Sequence, residues 1–455
     1  MATEQLDLHV VRDRLRDALT GRRSAELGDL LHRLPPPEAA AALDELPATQ
    51  LGLALTLLGD GRLADLLENM APADAARLLL KLGRDEAADV LEEMDPDDAA
   101  DVVQEITAEQ AEAILDEMQA PDARDVRELL AYPPQSAAGM MTTDVVTVSP
   151  ELTAREALAR IQQVAREAET IYYVYVTDAD GRLQGVLNMR DLVLAPPDTP
   201  ISAITRRDIV TVRADADQEV AARRLADRGL LAIPVVNAEH RLLGIITSDD
   251  AADVLEAEAT EDIERLGGSA PLDKPYLRTG ALELVWKRVR WLLVLFVAEA
   301  YTGTVLRHYE ETLSAAVALS FFIPLLIGTG GNTGSQITTT LTRALAVGDV
   351  GFHDLFRVLR KELGVAVVLG LVMAAATIVR AWTLGVGPQI GLIVALTAAS
   401  IVVWSAAVAS MLPLVLRRIR VDPAVVSAPL ITTLVDGTGL IIYFSFADWL
   451  LGLQN

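Results

Sequence analysis

Residues 423–451 read PAVVSAPLITTLVDGTGLIIYFSFADWLL, and between Pro423 and Asp448 the only charged residue is Asp436. The run is long enough to cross a bilayer, which takes about 20 apolar residues. A carboxylate at mid-membrane depth costs about 2.5–3.5 kcal/mol on insertion scales, so such residues usually face a bundle interior and mark a substrate or ion path. Thr432, Thr433, Thr438 and Gly439 surround Asp436 with hydroxyls and approachable carbonyls. Oxygen donors of this kind suit a hard cation. The competing reading is an Asp that hydrogen-bonds to a neighbouring helix for packing.

Working outward, the span belongs to a nearly neutral apolar half. Residues 271–455 carry 14 Lys and Arg against 11 Asp and Glu, a net of +3, leaving 25 against 53 in residues 1–270, a net of −28. So acidic a segment repels nucleic acid and attracts cations. There is no cysteine, which excludes disulfides, zinc–thiolate sites and iron–sulfur clusters. The five histidines, His9, His32, His240, His308 and His353, show no ligand spacing. The N-terminal MATEQLDLHVVRDRL has no apolar signal core, so the acidic half is expected in the cytosol.

A twelve-residue period runs through residues 34–130. Leu34, Leu46, Leu58, Met70, Leu82, Met94, Ile106 and Met118 recur at that interval. Asp74-Ala75-Ala76, Glu86-Ala87-Ala88 and Asp98-Ala99-Ala100 follow four residues after three of them, and Pro72, Pro96 and Pro121 punctuate the junctions. Each period predicts one short helix with Pro in its first turn and acids near its N-terminus. Units this short bury a core only by stacking, so residues 1–131 are expected to form an α-helical superhelical domain.

Two similar modules occupy residues 132–256. Each reads strand, helix, strand, turn, strand, helix, with turns at Asp178-Ala179-Asp180-Gly181 and Asn237-Ala238-Glu239-His240. The segments Gly185-Val186-Leu187-Asn188-Met189-Arg190-Asp191 and Gly244-Ile245-Ile246-Thr247-Ser248-Asp249-Asp250 close the two modules. This pair resembles tandem CBS domains, an α+β fold, with Asn188 standing where that family usually has Ser or Thr. The resemblance implies adenine nucleotide, ATP included, as a ligand, with the closing Asp on the ribose; Tyr173, Arg190, Asp191 and Pro234 are the candidate contacts. Residues 257–280 form an acidic connection, predicted helical up to Gly267-Gly268.

Residues 281–455 hold five apolar segments: 289–306, 313–346, 364–381, 390–416 and 423–451. With the N-terminus inside, the inner flanks carry Lys274, Arg278, Lys287, Arg288, Arg290, Arg343, Arg357, Arg360, Lys361, Arg417, Arg418 and Arg420. The outer flanks carry Arg307 and Arg380. This bias predicts a multi-pass protein of the cell (inner) membrane with its C-terminus outside. The second segment contains Gly328-Thr329-Gly330-Gly331-Asn332-Thr333-Gly334-Ser335-Gln336. Its polar density predicts loosened backbone lining a cavity; the alternative is small-residue helix packing.

Together, the helical repeat, the CBS pair, the acidic connection and five membrane segments bearing GGNTGSQ and TLVDGTGL resemble the MgtE family of magnesium channels. The resemblance covers essentially the whole chain. It implies an all-α five-helix pore domain in a homodimer surrounded by lipid. Asp436 of both subunits would hold hydrated magnesium, helped by Gly328, Asn332 and Thr432. It further implies a gate closed by cytosolic magnesium on acidic surfaces. The candidates are Asp97, Asp98 and Asp101, then Asp217 and Glu219, then Asp250, Asp253, Glu258, Glu261 and Asp262, and Asp422 beside the fifth membrane segment. Two positions depart from the family pattern: Arg290 precedes Trp291 where Pro is frequent, and Gly437 follows Asp436 where a branched residue is frequent. Glu299 has no assigned role. Other readings are a proton-coupled transporter of another divalent cation and a membrane-anchored nucleotide sensor. A membrane enzyme finds no nucleophile–base pair or phosphate loop.

Overall fold

The computed structural model describes residues 17–18, 43, 58–165, 168–272, 276–277, 279–419 and 427–452. The chain forms two compact units, residues 1–256 and 257–455.

Among the described residues of the first unit, six short helices begin at twelve-residue intervals: α1 (Asp60–Glu68), α2 (Pro72–Leu79), α3 (Arg84–Glu92), α4 (Pro96–Gln104), α5 (Ala108–Leu115) and α6 (Ala120–Leu130). Leu34 and Leu46 lie outside the described residues. Proline in the first turn of α2, α4 and α6 presets the helical φ where no donor is needed. The Ala pairs 75–76, 87–88 and 99–100 are buried. Their small side chains let each of the first four helices pack closely on the helix two places along.

Two three-stranded sheets follow. In the first, β1 (Thr147–Val148) pairs parallel with β2 (Tyr173–Thr177), which pairs antiparallel with β3 (Leu183–Asn188). Helix α7 (Ala154–Val164) makes the crossover, and α8 (Met189–Leu194) and α9 (Ile201–Ile204) follow β3. The second repeats the topology with β4 (Val212–Arg213), α10 (Gln218–Arg228), β5 (Ala232–Val236) and β6 (Leu242–Thr247). Gly185 and Gly244 stand where another segment crosses the strand. A Cβ at Gly244 would lie 2.2 Å from the Thr142 carbonyl oxygen, and one at Gly185 would lie 2.9 Å from that of Arg206. The core of the helical repeats runs without interruption into the second module through Ala137 and Met141. After β6 a single helix, α11 (Ser248–Leu266), ends at Gly268, whose φ is +76°.

The second unit contains the membrane-length helices α12 (Ala281–His308), α14 (Ile323–Ala346), α15 (Leu355–Leu384), α16 (Pro388–Arg418) and α17 (Ala428–Leu451). A short helix, α13 (Glu310–Ala315), and a 3-10 turn over Val317–Phe322 precede α14. The 313–346 segment of the sequence is therefore broken before Ile323. Helix α16 is the hub, with Ile393, Val394, Ala398 and Ile401 buried against α14 and α17. Large apolar side chains of α12 and α15, such as Phe296, Val297, Leu371 and Val372, point outward. Exposed apolar surface on that scale suits lipid or another subunit rather than water.

Candidate functional sites in the membrane bundle and the acidic unit

Ser427 starts α17. Its hydroxyl accepts from the Leu430 amide at 3.4 Å and from the Trp291 indole N–H at 3.0 Å. Two turns further on, Asp436 is 8% exposed, and its Oδ1 has no hydrogen-bond partner. A carboxylate held for packing would be paired, because leaving a buried polar group unmet costs several kcal/mol. The orphaned oxygen fits a donor that awaits a cation. Thr432 lies one turn before Asp436 on the same face of α17. The adjacent Gly437 is required by packing: a Cβ there would stand 2.5 Å from the Tyr301 ring on α12. Glu299 is exposed on α12 and within electrostatic reach of Asp436.

The polar run on α14 corrects one expectation. Its backbone is not loosened but continuous α-helix from Ile323 to Ala346. Thr329, Thr333 and Thr340 return their hydroxyls to the carbonyls four residues back at 2.7–2.8 Å. Gly330, Gly331 and Gly334 are packing residues. Cβ atoms there would lie 2.6 Å from Ile401 and Val435, 2.8 Å from Thr432, and 2.4 Å from Ile431. Ser405 locks the contact by donating to the Gly330 carbonyl at 2.7 Å. Gly328 and Asn332 share a face with Gln336; Gly328 has open space around it, and Asn332 and Gln336 are exposed in the single chain. The small-residue reading holds for one face of α14, and the polar face remains open to a partner or an ion.

A second site lies within the first unit. The N-terminal turn of α4 brings Asp98 and the flanking Asp95 against Glu68 of α1, while Asp97 faces Asp250 and Glu169. Carboxylate oxygens of Glu68, Asp95 and Asp98 lie within 4.8 Å of one another, as do those of Glu169, Asp249 and Asp250. At such a separation two ionised carboxylates repel by about 3.5 kcal/mol at an effective dielectric of ~20. Burial, Glu68 and Asp250 push Asp98 up to about 8. Burial and Asp250 push Glu169 up to about 8. Asp101, at the rim, is pushed up to about 6 by desolvation, Asp250 and Glu105. Asp97 is raised well above the usual carboxylate range, by burial first and then by Asp250 and Asp98.

Among the described residues no Lys or Arg contributes to any of these shifts. Asp97 Oδ1 and Glu169 Oε2 are buried without hydrogen-bond partners. Glu68 accepts from the Asp95 amide at 2.9 Å and Asp250 from the Thr247 hydroxyl; all-oxygen donors crowded in this way fit hard cations such as magnesium. Of this group, Asp97, Asp98, Asp101 and Asp250 were legible as candidates in the sequence. Glu68, Asp95 and Glu169 were not, because an acid at a helix end or in a loop reads as a cap or a solvated charge.

The remaining acids behave differently. Asp217 caps α10, accepting from the Glu219 amide at 2.9 Å, while Glu219 pairs with Arg223. These local partners account for both without an ion. On α11, Asp253 is exposed, Glu258 and Asp262 are half-buried, and Glu261 pairs with Arg265. Asp422 lies outside the described residues. Among the nucleotide candidates, Tyr173 pairs with Asn188 at one end of the first sheet, next to exposed Arg190 and half-buried Asp191. Asp191 forms an ion pair with Arg206 at 2.9 Å. Pro234 lies in β5 of the second sheet, where it is buried and opposite Ile245.

A buried carboxylate inside a five-helix membrane bundle, in one chain with a CBS pair and stacked helical repeats, defines a multi-pass membrane protein of the ion-transport class. Family models agree along the chain: the divalent cation transporter domain MgtE matches residues 323–446, the MgtE intracellular N domain matches 16–135, and CBS domains match 137–198 and 201–257. The magnesium transporter MgtE of Thermus thermophilus is 40% identical over 440 residues, covering 96% of this chain and 98% of that one. The magnesium transporter MgtE of Bacillus subtilis is 32% identical over 322 residues, 71% of each. A crystal structure of the soluble part of a magnesium transporter covers 56% of this chain and all of that one at 30% identity, with a TM-score of 0.51. The chain belongs to the MgtE family of magnesium transporters, which carry an ion rather than catalyse a chemical conversion.

Proposed function

We propose that two copies of this chain form a magnesium-selective channel with one pore between them, its ion site made by Asp436 of both copies. The observation that carries this reading is the buried, unpartnered Asp436 oxygen in a membrane helix. Magnesium dehydrates reluctantly and is usually held by one or two carboxylates through several retained waters. Thr432 and the open face of α14, Gly328 and Asn332, would orient that water shell. The N-terminus is cytosolic and the C-terminus outside, in keeping with the basic inner flanks.

Gating belongs to the acidic unit. Glu68, Asp95, Asp97, Asp98, Asp101, Glu169, Asp249 and Asp250 would hold magnesium in the assembled arrangement. Without it, their repulsion favours separation. Magnesium shifts this equilibrium only by binding the assembled form better. Asp253, Glu258, Glu261, Asp262 and Asp422 are further regulatory magnesium donors in this reading. Adenine nucleotide binding at the CBS pair is also part of it, with Tyr173, Arg190 and Asp191 as contacts.

Magnesium flux into liposomes tests the pore. Asp436→Ala and Asp436→Asn should both abolish flux while the protein stays folded, the second because it keeps size and loses charge. Normal flux in either folded variant would overturn the assignment. The proximity of Glu299 to Asp436 favours one alternative, proton-coupled transport. Flux that depends strictly on a pH gradient would support it over a channel.

A further inference from the structure

The pore and the acidic unit leave Arg290 unused. It lines a pocket of about 280 Å³ where the chain turns from α11 into α12. Lys287, Arg290 and Arg265, the last already paired with Glu261, line it together with Trp291 and Val294, and no carboxylate is among its lining residues. The walls are held in place. The Ala270 amide donates to the Lys287 carbonyl at 3.2 Å, and the Lys287 ammonium donates to the Pro271 carbonyl. Gly268 closes the far side against the Trp291 indole, 2.7 Å from where its Cβ would stand. Arg290 is exposed, and among the described residues no carboxylate pairs with it.

The position matters as much as the charge. The apolar stretch of α12 begins at Val289, so the pocket sits at the polar edge of a membrane span. Beyond it, Leu292, Leu293, Phe296 and Val297 are exposed along the same helix. A ligand that satisfies both the basic and the apolar residues carries a phosphate and an acyl chain. Basic pockets at the cytosolic edge of membrane helices, with an aromatic residue at headgroup level, suit anionic lipid headgroups.

We propose that this pocket binds the phosphate group of an anionic glycerophospholipid, with an acyl chain along α12. The inference rests on the cytosolic placement of α11 given above. Its consequence is that a lipid headgroup would contact both the connecting helix and the first membrane helix.

The test uses full-length protein, phosphatidylglycerol and phosphatidylcholine in native mass spectrometry. The parent should retain phosphatidylglycerol in preference to phosphatidylcholine. Arg290→Gln should lower that retention about fivefold, the effect of one basic residue at an anionic surface. Arg288→Gln, one helical position away from the pocket-lining Lys287, should not. Equal loss in both variants, or no preference in the parent, would overturn the site. Displacement of the lipid by millimolar inorganic phosphate would make it a free-anion site and overturn the lipid assignment. The pore reading is separable: Asp436→Asn should lose flux and keep its lipid, whereas Arg290→Gln should lose lipid and keep the Asp436-dependent ion path.

Discussion

Trp291 on the first membrane helix donates its indole N–H to Ser427, 3.0 Å away, and Ser427 caps the helix that carries Asp436. Gly268, just past the end of the acidic connecting helix, packs on the same indole. One aromatic side chain therefore touches the end of the connecting segment and the start of the Asp436 helix. Ser427→Ala should cost about 1 kcal/mol by loss of the cap. A double-mutant cycle with Trp291→Phe, read by thermal unfolding, should show coupling of about 0.5–1 kcal/mol. Additive effects would show that the two residues act independently.

The glycines of α14 should separate by face. Gly334→Ala forces a Cβ to 2.4 Å from Ile431 and should destabilise by about 1–3 kcal/mol. Gly328→Ala meets nothing within 4 Å and, on helix propensity alone, should be neutral or stabilising by up to about 1 kcal/mol. Unfolding of both variants in the same detergent checks this, and equal destabilisation would remove the distinction between the faces.

Asn332 lies on the open face, so Asn332→Ala should relax the preference for magnesium over calcium more than it lowers stability. Competition flux in liposomes measures this. An unchanged preference would return that face to packing.

Magnesium should protect the first unit from proteolysis as it rises through the millimolar range. The variant Asp97→Asn, Asp98→Asn, Glu169→Gln, Asp250→Asn removes both the repulsion and the donors. It should lose the magnesium response and be better protected than the parent when magnesium is absent. A variant with the parent's midpoint would show that these acids do not bind the ion.

Proton concentration should act in the same direction. In the assembled unit Asp98 and Glu169 titrate at about 8 and Asp101 at about 6, raised by burial and by neighbouring carboxylates. Separated, they release protons near pH 4. Between these limits the assembled form binds more protons, so its metal-free stability falls as pH rises from about 4 to about 8. The protection factors of the α4 amides without divalent ions, taken relative to the base-catalysed intrinsic rate at each pH, should be higher at pH 6 than at pH 8.5. Magnesium affinity should rise over the same interval, because protons compete for the oxygens.

What was legible along the chain was local and periodic. The twelve-residue recurrence from Leu58 to Met118 predicted short stacked helices, and α1 to α6 begin twelve residues apart because Pro and acids favour each first turn. Five apolar stretches predicted five membrane-length helices, since hydrocarbon thickness sets length regardless of packing. Asp436 stood out because a lone charge in such a stretch demands a reason. Three-dimensional packing settled the questions in which distant residues meet. Glu68 and Asp95 meet Asp98, Glu169 meets Asp249 and Asp250, and Asp98 feels Asp250, because stacking and sheet topology bring together acids up to about 150 positions apart, and no spacing rule reaches that far. Likewise GTGGNTGSQ reads as loose polar backbone until Ile401, Val435 and Ile431 fill the space its glycines leave. The glycines are then seen to admit neighbouring side chains, and the helix continues because its backbone bonds and Thr hydroxyls are satisfied within it.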